Sequence, residues 1–516
     1  MDGGKERGLS KPLSHQGKRR EAEGYMTVYL AMTLAAMLTL YLVLIGGARL
    51  GAARMQMESV SRIAQNASLA EFHKEMHGRY DLFFTDTSYG GPGGGNEILA
   101  QHLRNYMESN CARETEFPFG GIRDWTSMKI SDVQVTEARY ACDNGGKAVR
   151  EQVYAYMSAD PAGAVVSGML VTADQWRGLE LSGREWTEQT QQSREELKQA
   201  LRDGREEQRE ANEEKEEKEE EVTAEEYEAA SEEPSEAEDM VDRMESFQFL
   251  PVLFQVFGDP DGLSGRHIAA ENTLSRREVH LGTGMTAVNS HKYPEADEIL
   301  FDRYIFEKTG CCTKPSEDGQ LCYQTEYILC GRDSDRENLE GTAARLLLIR
   351  EASNCAYLFT DENRMAQVHA VAAAASLILL SPELEEPAAK ALALSWSYLE
   401  SVQDVRTLMT GGKVPVVKTG DAWQTRLYEL LTPFTAVRDR DSGEGLDYSA
   451  YLQGLLLLEG SSVKTQRTMD IMEMDIRRIT GNSGFRMDLC TDEFSMNAEA
   501  HAGGTDFLFK GSCGYN

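Results

Sequence analysis

His73 and His77 stand four residues apart, a spacing that puts two imidazoles on one helix face as metal ligands require. A zinc-protease motif needs Glu directly after the first His; Lys74 holds that place and no third ligand is identifiable, so both read as surface histidines. His267, His280 and His291 precede Cys311, Cys312, Cys322 and Cys330, the best metal-site candidate in the chain. No CxxC pair and no fixed histidine spacing support it, and disulfide or structural use of these cysteines is the better reading. The glycine run at 90–95, GGPGGG, lacks the GK[ST] that would make a phosphate cradle and reads as a flexible connection. There is no GxSxG, and carboxylates are too abundant for any pair to stand out. The sequence therefore assigns no catalytic residue, no cofactor and no metal ligand, and no enzyme is expected.

Nine cysteines leave at least one unpaired within the chain. An exported location would permit Cys111–Cys142 or pairings within the Cys311 to Cys330 group, while Cys355, in an apolar stretch, reads as a small buried hydrophobe. The chain has 516 residues, with 53 Lys and Arg against 85 Asp and Glu, a formal charge of -32. That balance excludes nucleic acid as a partner, since phosphate binding needs a basic face. At 41% hydrophobic residues the chain can bury sizeable cores, and its length suits two or three domains.

What would position any site begins with an anchor. Met26 to Gly47 is an uncharged apolar run of 22 residues, against roughly 20 needed to cross the hydrocarbon core. Lys5, Arg7, Lys11, Lys18, Arg19 and Arg20 precede it, and Arg49, Arg54 and Arg62 follow, so the positive-inside rule puts the N-terminus in the cytoplasm. A cleaved signal peptide, the competing reading, has a shorter apolar core of about 7–15 residues. Helical spacing of Val60, Ile63, Ala67 and Ala70 predicts that the helix continues outward as a rod ending near Gly78.

The expected organisation is a basic cytoplasmic tail (1–24), the transmembrane helix and its extension (25–78), a first extracytoplasmic region (79–185), an acidic helical or disordered linker (186–246) and a second region (247–516). In the first, Asn96 caps a helix through Met107, Val133 and Val135 mark a strand, DNGG at 143–146 turns the chain, and a helix follows from Ala148. In the linker, ten of the sixteen residues from Glu206 to Glu221 are Glu, and Glu214–Lys218 fits a solvated helix. In the second region the apolar run 249–258 reads as buried, and strands are expected at 298–306 and 323–330. Helices are expected from Asp335, from Asp361, over Pro387 to Met409, over Tyr448 to Leu458 and from Thr465, with strands closing the tail between Phe485 and Phe509. Arg332, Asp333, Asp335 and Arg336 cluster at a helix start, where Asp can cap free amides. The fold class is α+β with a helical majority.

Five strings carry a resemblance: GYMTVYLAMTL at 24–34, SLAEFHKEMHGRYDLFFTD at 68–86, YILCGRDSDRENLEGTAARLLLIREASNCAYL at 327–358, ALSWSYLESVQDVRTLMTGGKVPVVK at 393–418 and YSAYLQGLLLL at 448–458. Together they resemble an uncharacterised family of single-pass, membrane-anchored bacterial proteins found beside Tad-type (Flp) pilus assembly genes in Gram-positive bacteria. The resemblance implies a pseudopilin-like or accessory component of a pilus or secretion apparatus, with the lipid bilayer and pilus or secretion proteins as partners. It also implies a candidate prepilin-peptidase cut after Gly24 that leaves Tyr25 first. Pilins usually carry Glu as the fifth residue after the cut, and here Tyr29 stands there. A cell-surface sensor or ligand-binding module is the alternative.

Overall fold

The computed structural model describes residues 16–111, 126–159, 172–218, 222–229, 236–269, 271, 273–282, 296–378, 380–431 and 443–515. The chain opens with α1 (Gln16–Ala70), α2 (Lys74–Tyr80), β1 (Thr85–Asp86), α3 (Asn96–Cys111) and β2 (Lys129–Tyr140). It continues through α4 (Lys147–Ser158), α5 (Ala173–Glu217), α6 (Ala224–Ala229), α7 (Glu236–Gln248) and α8 (Val252–Phe257). Next come α9 (Ala296–Lys308), α10 (Gln324–Cys330), α11 (Asp335–Leu358), α12 (Glu362–Ile378) and α13 (Glu385–Met409). α14 (Tyr448–Leu456), α15 (Ser461–Arg477), β3 (Cys490–Ala502) and β4 (Thr505–Gly514) complete a helix-rich α+β fold with one small antiparallel sheet. Two compact units result: unit 1 takes Met1–Glu71, Gly94–Ala138 and Glu493–Asn516, and unit 2 takes Phe72–Gly93 and Arg139–Asp492.

Unit 1 is organised by α1. Ala53, Met57, Val60, Ala64 and Ser68 recur at intervals of three and four and are buried, forming one stripe along the second half of the helix. Leu99, Leu103 and Met107 of α3, one turn apart, cover that stripe, and β4 packs on α1 as well. The β3–β4 hairpin pairs Glu493 with Gly514 through to Ala502 with Thr505. Its two-residue turn is Gly503-Gly504, with φ of 60° and 81°, the left-handed conformation a tight hairpin demands. Gln56 donates to the carbonyl of Cys111 at 3.4 Å, tying the end of α3 to α1.

The helical rod was expected to run to Gly78, but α1 stops at Ala70. Within unit 2, Phe72 bridges Thr85 and the N–H of His73 donates to the carbonyl of Phe84 at 2.8 Å, so the backbone leaves the helical path here. A new helix, α2, then starts under a His73 cap.

Unit 2 is built around α13. From Ala391 to Val405 every residue of this helix is buried, so it has no solvent face and is enclosed by α5, α7, α11 and α12. Ser334 caps α11 by accepting the N–H of Glu337, and Asp447 caps α14 through Ala450 N–H. A Thr172–Gln175 capping box starts α5, whose Trp176, Leu197 and Leu201 are buried. Glu206–Glu217 forms the far end of that same helix, where most side chains are exposed.

Two segments expected as strands are helices. In α9, Phe301, Tyr304 and Ile305 sit at i, i+3 and i+4 and are fully buried; their aromatic and β-branched types suggested a strand, but the spacing is helical. In α10, Gln324 through Leu329 are all buried, so burial has no period and cannot distinguish helix from strand. The apolar run at 249–258 contains α8, with Leu253 and Val256 of the helix buried but Phe254 and the preceding Phe249 and Leu250 exposed.

Glycine sets how closely α5 lies on its neighbours in unit 2. A Cβ at Gly183 would fall 2.1 Å from the carbonyl oxygen of Leu348, whereas Gly178, on the exposed side of the same helix, faces open space. Gly183→Ala is expected to destabilise the protein by about 3 kcal/mol through overpacking against backbone. Gly178→Ala is expected to stabilise it by about 0.5–1 kcal/mol through helix propensity. Denaturant unfolding of the two variants measures both values, and equal effects would contradict the packing described.

Candidate functional site

The first candidate site is the exposed half of α1. Gly24 and Tyr25, the candidate processing pair, both lie within this helix, and Tyr25 is 79% exposed. Tyr25–Ala70 is long and apolar enough to cross a membrane, and its most apolar stretch is unburied, as expected of a single span or a signal sequence. The hydroxyl of Thr33 donates to the carbonyls of Tyr29 and Leu30, and that of Thr39 to Ala35. These donors are satisfied within the helix, which an apolar surrounding requires.

The second is a charged centre at the middle of unit 2. Asp404 and Glu400 lie one turn apart on α13, Arg350 projects from α11, and Lys418 comes from the segment after α13; all four side chains are fully buried. The Lys418 ammonium donates to Glu400 Oε1 at 2.6 Å and to Asp404 Oδ1 at 2.7 Å. Arg350 meets Asp404 Oδ2 at 3.0 Å and also donates to the carbonyls of Pro415 and Val416 and to the Tyr451 hydroxyl. Glu400 accepts the N–H groups of Gln424 and Thr425, each at 2.8 Å. Two cations and two carboxylates cancel. Burial pushes the Asp404 carboxyl up, but Arg350 and Lys418 outweigh it and hold it below its ordinary value. The arrangement clamps residues 414–425 onto α11 and α13, and its chemistry is that of a positioned support closed to solvent.

α15 offers a second row of buried carboxylates. Asp470 accepts from Ser275 and from the Tyr327 hydroxyl, Glu473 pairs with Arg277, and Asp475 accepts from Tyr80, Gln320 and Gln324. One helix thereby fixes α2, α10 and the loops at 275 and 320. Glu351 differs, because its contacts are the hydroxyls of Thr187 and Thr190. Burial pushes its carboxyl up to about 7.

The histidine and cysteine candidates separate. His73 Nδ1 accepts the N–H of Met76 as the cap of α2, while the His77 ring stacks on Phe83 with 4.3 Å between centroids. His267 bridges Ser334, His280 packs edge-on to Tyr140, and His291 lies outside the described residues. Cys312 N–H donates to Glu326 and Cys322 N–H to Asp335, while Cys330 Sγ lies 3.4 Å from Thr342. Cys355 is buried beside Ser397, and all nine cysteines are free thiols. Asp335, from the charged cluster at the start of α11, turns inward and accepts from Cys322, Tyr323 and Ser264. Among the described residues, no group of three or more His, Cys, Asp or Glu is placed to hold a metal ion.

The chain is thus a helix-rich α+β protein with one candidate membrane helix near its N-terminus. It belongs to the family of unknown function DUF5702, whose model matches residues 230–502. That match covers α7 through β3, including the whole charged centre. No curated protein and no solved structure matches the chain.

The charged centre and Glu351 make opposite predictions. Lys418→Met removes the cation of Glu400 and one of the two on Asp404, and is expected to cost about 3–5 kcal/mol by denaturant unfolding, with part recovered when Glu400→Gln is added. For Glu351, the folded state keeps its proton up to about pH 7, while the unfolded state loses it above about 4.3. The unfolded state binds fewer protons between those values, so this residue's contribution to stability falls as pH rises through the window. Glu351→Gln is therefore expected to match wild type at pH 4 and to exceed it by about 2–4 kcal/mol at pH 8. An unchanged difference across that range, measured by urea unfolding at each pH, would refute the assignment.

Proposed function

We propose that this protein is a membrane-anchored structural or accessory component, pseudopilin-like in design, of a Tad-like pilus or secretion apparatus. Its N-terminus lies in the cytoplasm and its body outside the cell, and it acts by assembly with other proteins rather than by catalysis. The observation that carries this reading is the division of labour along α1. One continuous helix presents an apolar, exposed segment over Tyr25–Ile45, and then supplies the buried stripe Ala53 to Ser68 that α3 and β4 cover. A helix that is anchor first and core second, beneath an antiparallel hairpin, is the layout of pilins and pseudopilins. The basic residues before Tyr25 and the five sequence strings support the same reading. Tyr29, where pilins carry Glu, favours an accessory position over ordinary packing in a filament.

Mass spectrometry of the mature N-terminus from purified membranes tests the proposal, with protease added to intact cells. The expected product starts at Tyr25, resists alkaline extraction and loses the residues beyond Ala48 to external protease. Recovery as soluble cytoplasmic protein would end the proposal, and an uncut, membrane-bound chain would remove the peptidase step while keeping the anchor.

A further inference from the structure

Residues 273–282 of unit 2 are held on the rest of that unit chiefly through carboxylates. The chain turns at Thr273, whose carbonyl accepts the N–H groups of Arg276 and Arg277, and then runs on to Gly282. Ser275 N–H donates to Asp470 Oδ1 at 2.9 Å, His280 N–H to Asp488 Oδ2 at 2.8 Å and Gly282 N–H to Asp143 Oδ1 at 2.7 Å. Arg277 bridges Glu473 and Asp488, the latter at 2.7 Å, and Arg276 pairs with Asp333. Asp470 and Glu473 stand one turn apart on α15, and Asp488 lies just before β3. Apolar attachment is slight by comparison: Leu274 is buried and Val279 half-buried, while Leu281 is exposed.

Charge accounts for this attachment. Three guanidiniums from outside the segment lie among the five carboxylates: Arg477 on Glu473, Arg486 on Asp488, and Arg467 beside Gly331. Five carboxylates against three guanidiniums leave an excess of two negative charges, which Arg276 and Arg277 balance. Lifting the segment would return both sides of each pair to water, so it strands no buried charge as deleting one partner does. A segment fixed by a few charge-assisted bonds and little apolar surface opens locally at lower cost than a core helix.

We propose that residues 273–282 occupy, in cis, an acidic seat along α15 that also takes a segment of another protein carrying two adjacent arginines. The chain's own segment is the template of that ligand. One guanidinium goes to Asp333, the next to Glu473 and Asp488 together, and a neighbouring hydroxyl to Asp470. Tethering makes the internal segment a strong competitor, because an intramolecular ligand acts at an effective concentration of about millimolar. A partner therefore binds weakly while the internal segment is seated and more tightly once that segment is displaced. This inference concerns unit 2 alone and stands whether or not the chain serves a pilus.

The test uses the full chain in detergent micelles and a fluorescein-labelled peptide with the sequence of Thr273–Gly282, read by fluorescence anisotropy. A peptide with glutamine in place of both arginines is the control. Arg277→Gln, which loosens the internal segment, is expected to bind the arginine peptide at least tenfold more tightly than wild type does, and the control not at all. Native-state hydrogen exchange of the wild type gives a second reading. Residues 274–282 are expected to exchange well ahead of α13, and faster still with excess arginine peptide. Exchange of this segment only together with α13 would overturn the proposal, as would equal binding of the two peptides. Self-association of the wild type that Arg277→Gln abolishes would also overturn it, by making a second copy the occupant.

Discussion

Enclosing a helix that carries charge is the constraint around which unit 2 is built. α13 has no solvent face over fifteen residues, yet it brings Glu400 and Asp404 into the interior. Two buried carboxylates are costly unless they are paired and fully hydrogen-bonded, so the surrounding chain must supply cations and N–H donors at fixed places. Arg350 of α11, Lys418 and the amides of Gln424 and Thr425 meet that demand, and the path of residues 414–425 follows from it. A hydrophobic centre of equal volume would hold the helices together without dictating where this segment lies.

The carboxylates of α15 repeat the arrangement at smaller scale. Asp470 and Glu473 hold the loop at Ser275 and Arg277, and Asp475 holds Gln320 and Gln324, so hydrogen bonds locate these segments alongside the buried Leu274 and Leu321. Unit 1 uses other means. Its α1 stripe meets α3 and β4 through Ala, Met, Val and Ser, and its hairpin depends on two glycines at positive φ. The match to DUF5702 falls mainly on unit 2, where the polar interior is concentrated.

Much of this was legible in the sequence, and the exceptions have physical reasons. The long apolar N-terminal helix, the helices from α11 to α15 and the closing hairpin follow from apolar periodicity and capping residues, which are local signals. α9 and α10 were misread because all-round burial erases the period that separates helix from strand. In α5, the density of charge hid a packed face on which Trp176, Leu197 and Leu201 alternate with Gly183, Thr190, Ser193 and Gly204, residues too small to register in a hydropathy pattern. The charged centre did leave a trace, since Glu400 and Asp404 sit at i, i+4 within a stretch, Ala391 to Val405, that is otherwise uncharged. Its partners Arg350 and Lys418 are far enough away in sequence that only the fold brings them together.

The continuity of α1 has a mechanical consequence. No break separates its exposed apolar segment from its buried stripe, so the two are locked in rotational phase. Each residue of a helix advances the azimuth by about 100° and the axis by about 1.5 Å. Adding or removing one residue between Gly47 and Ala53 would therefore turn the rest of unit 1 about the axis of the exposed apolar segment by more than a quarter circle while moving it only about 1.5 Å along that axis. The helix acts as a keyed shaft, and the direction in which the rest of unit 1 faces about its apolar segment is encoded in the number of residues rather than in any contact.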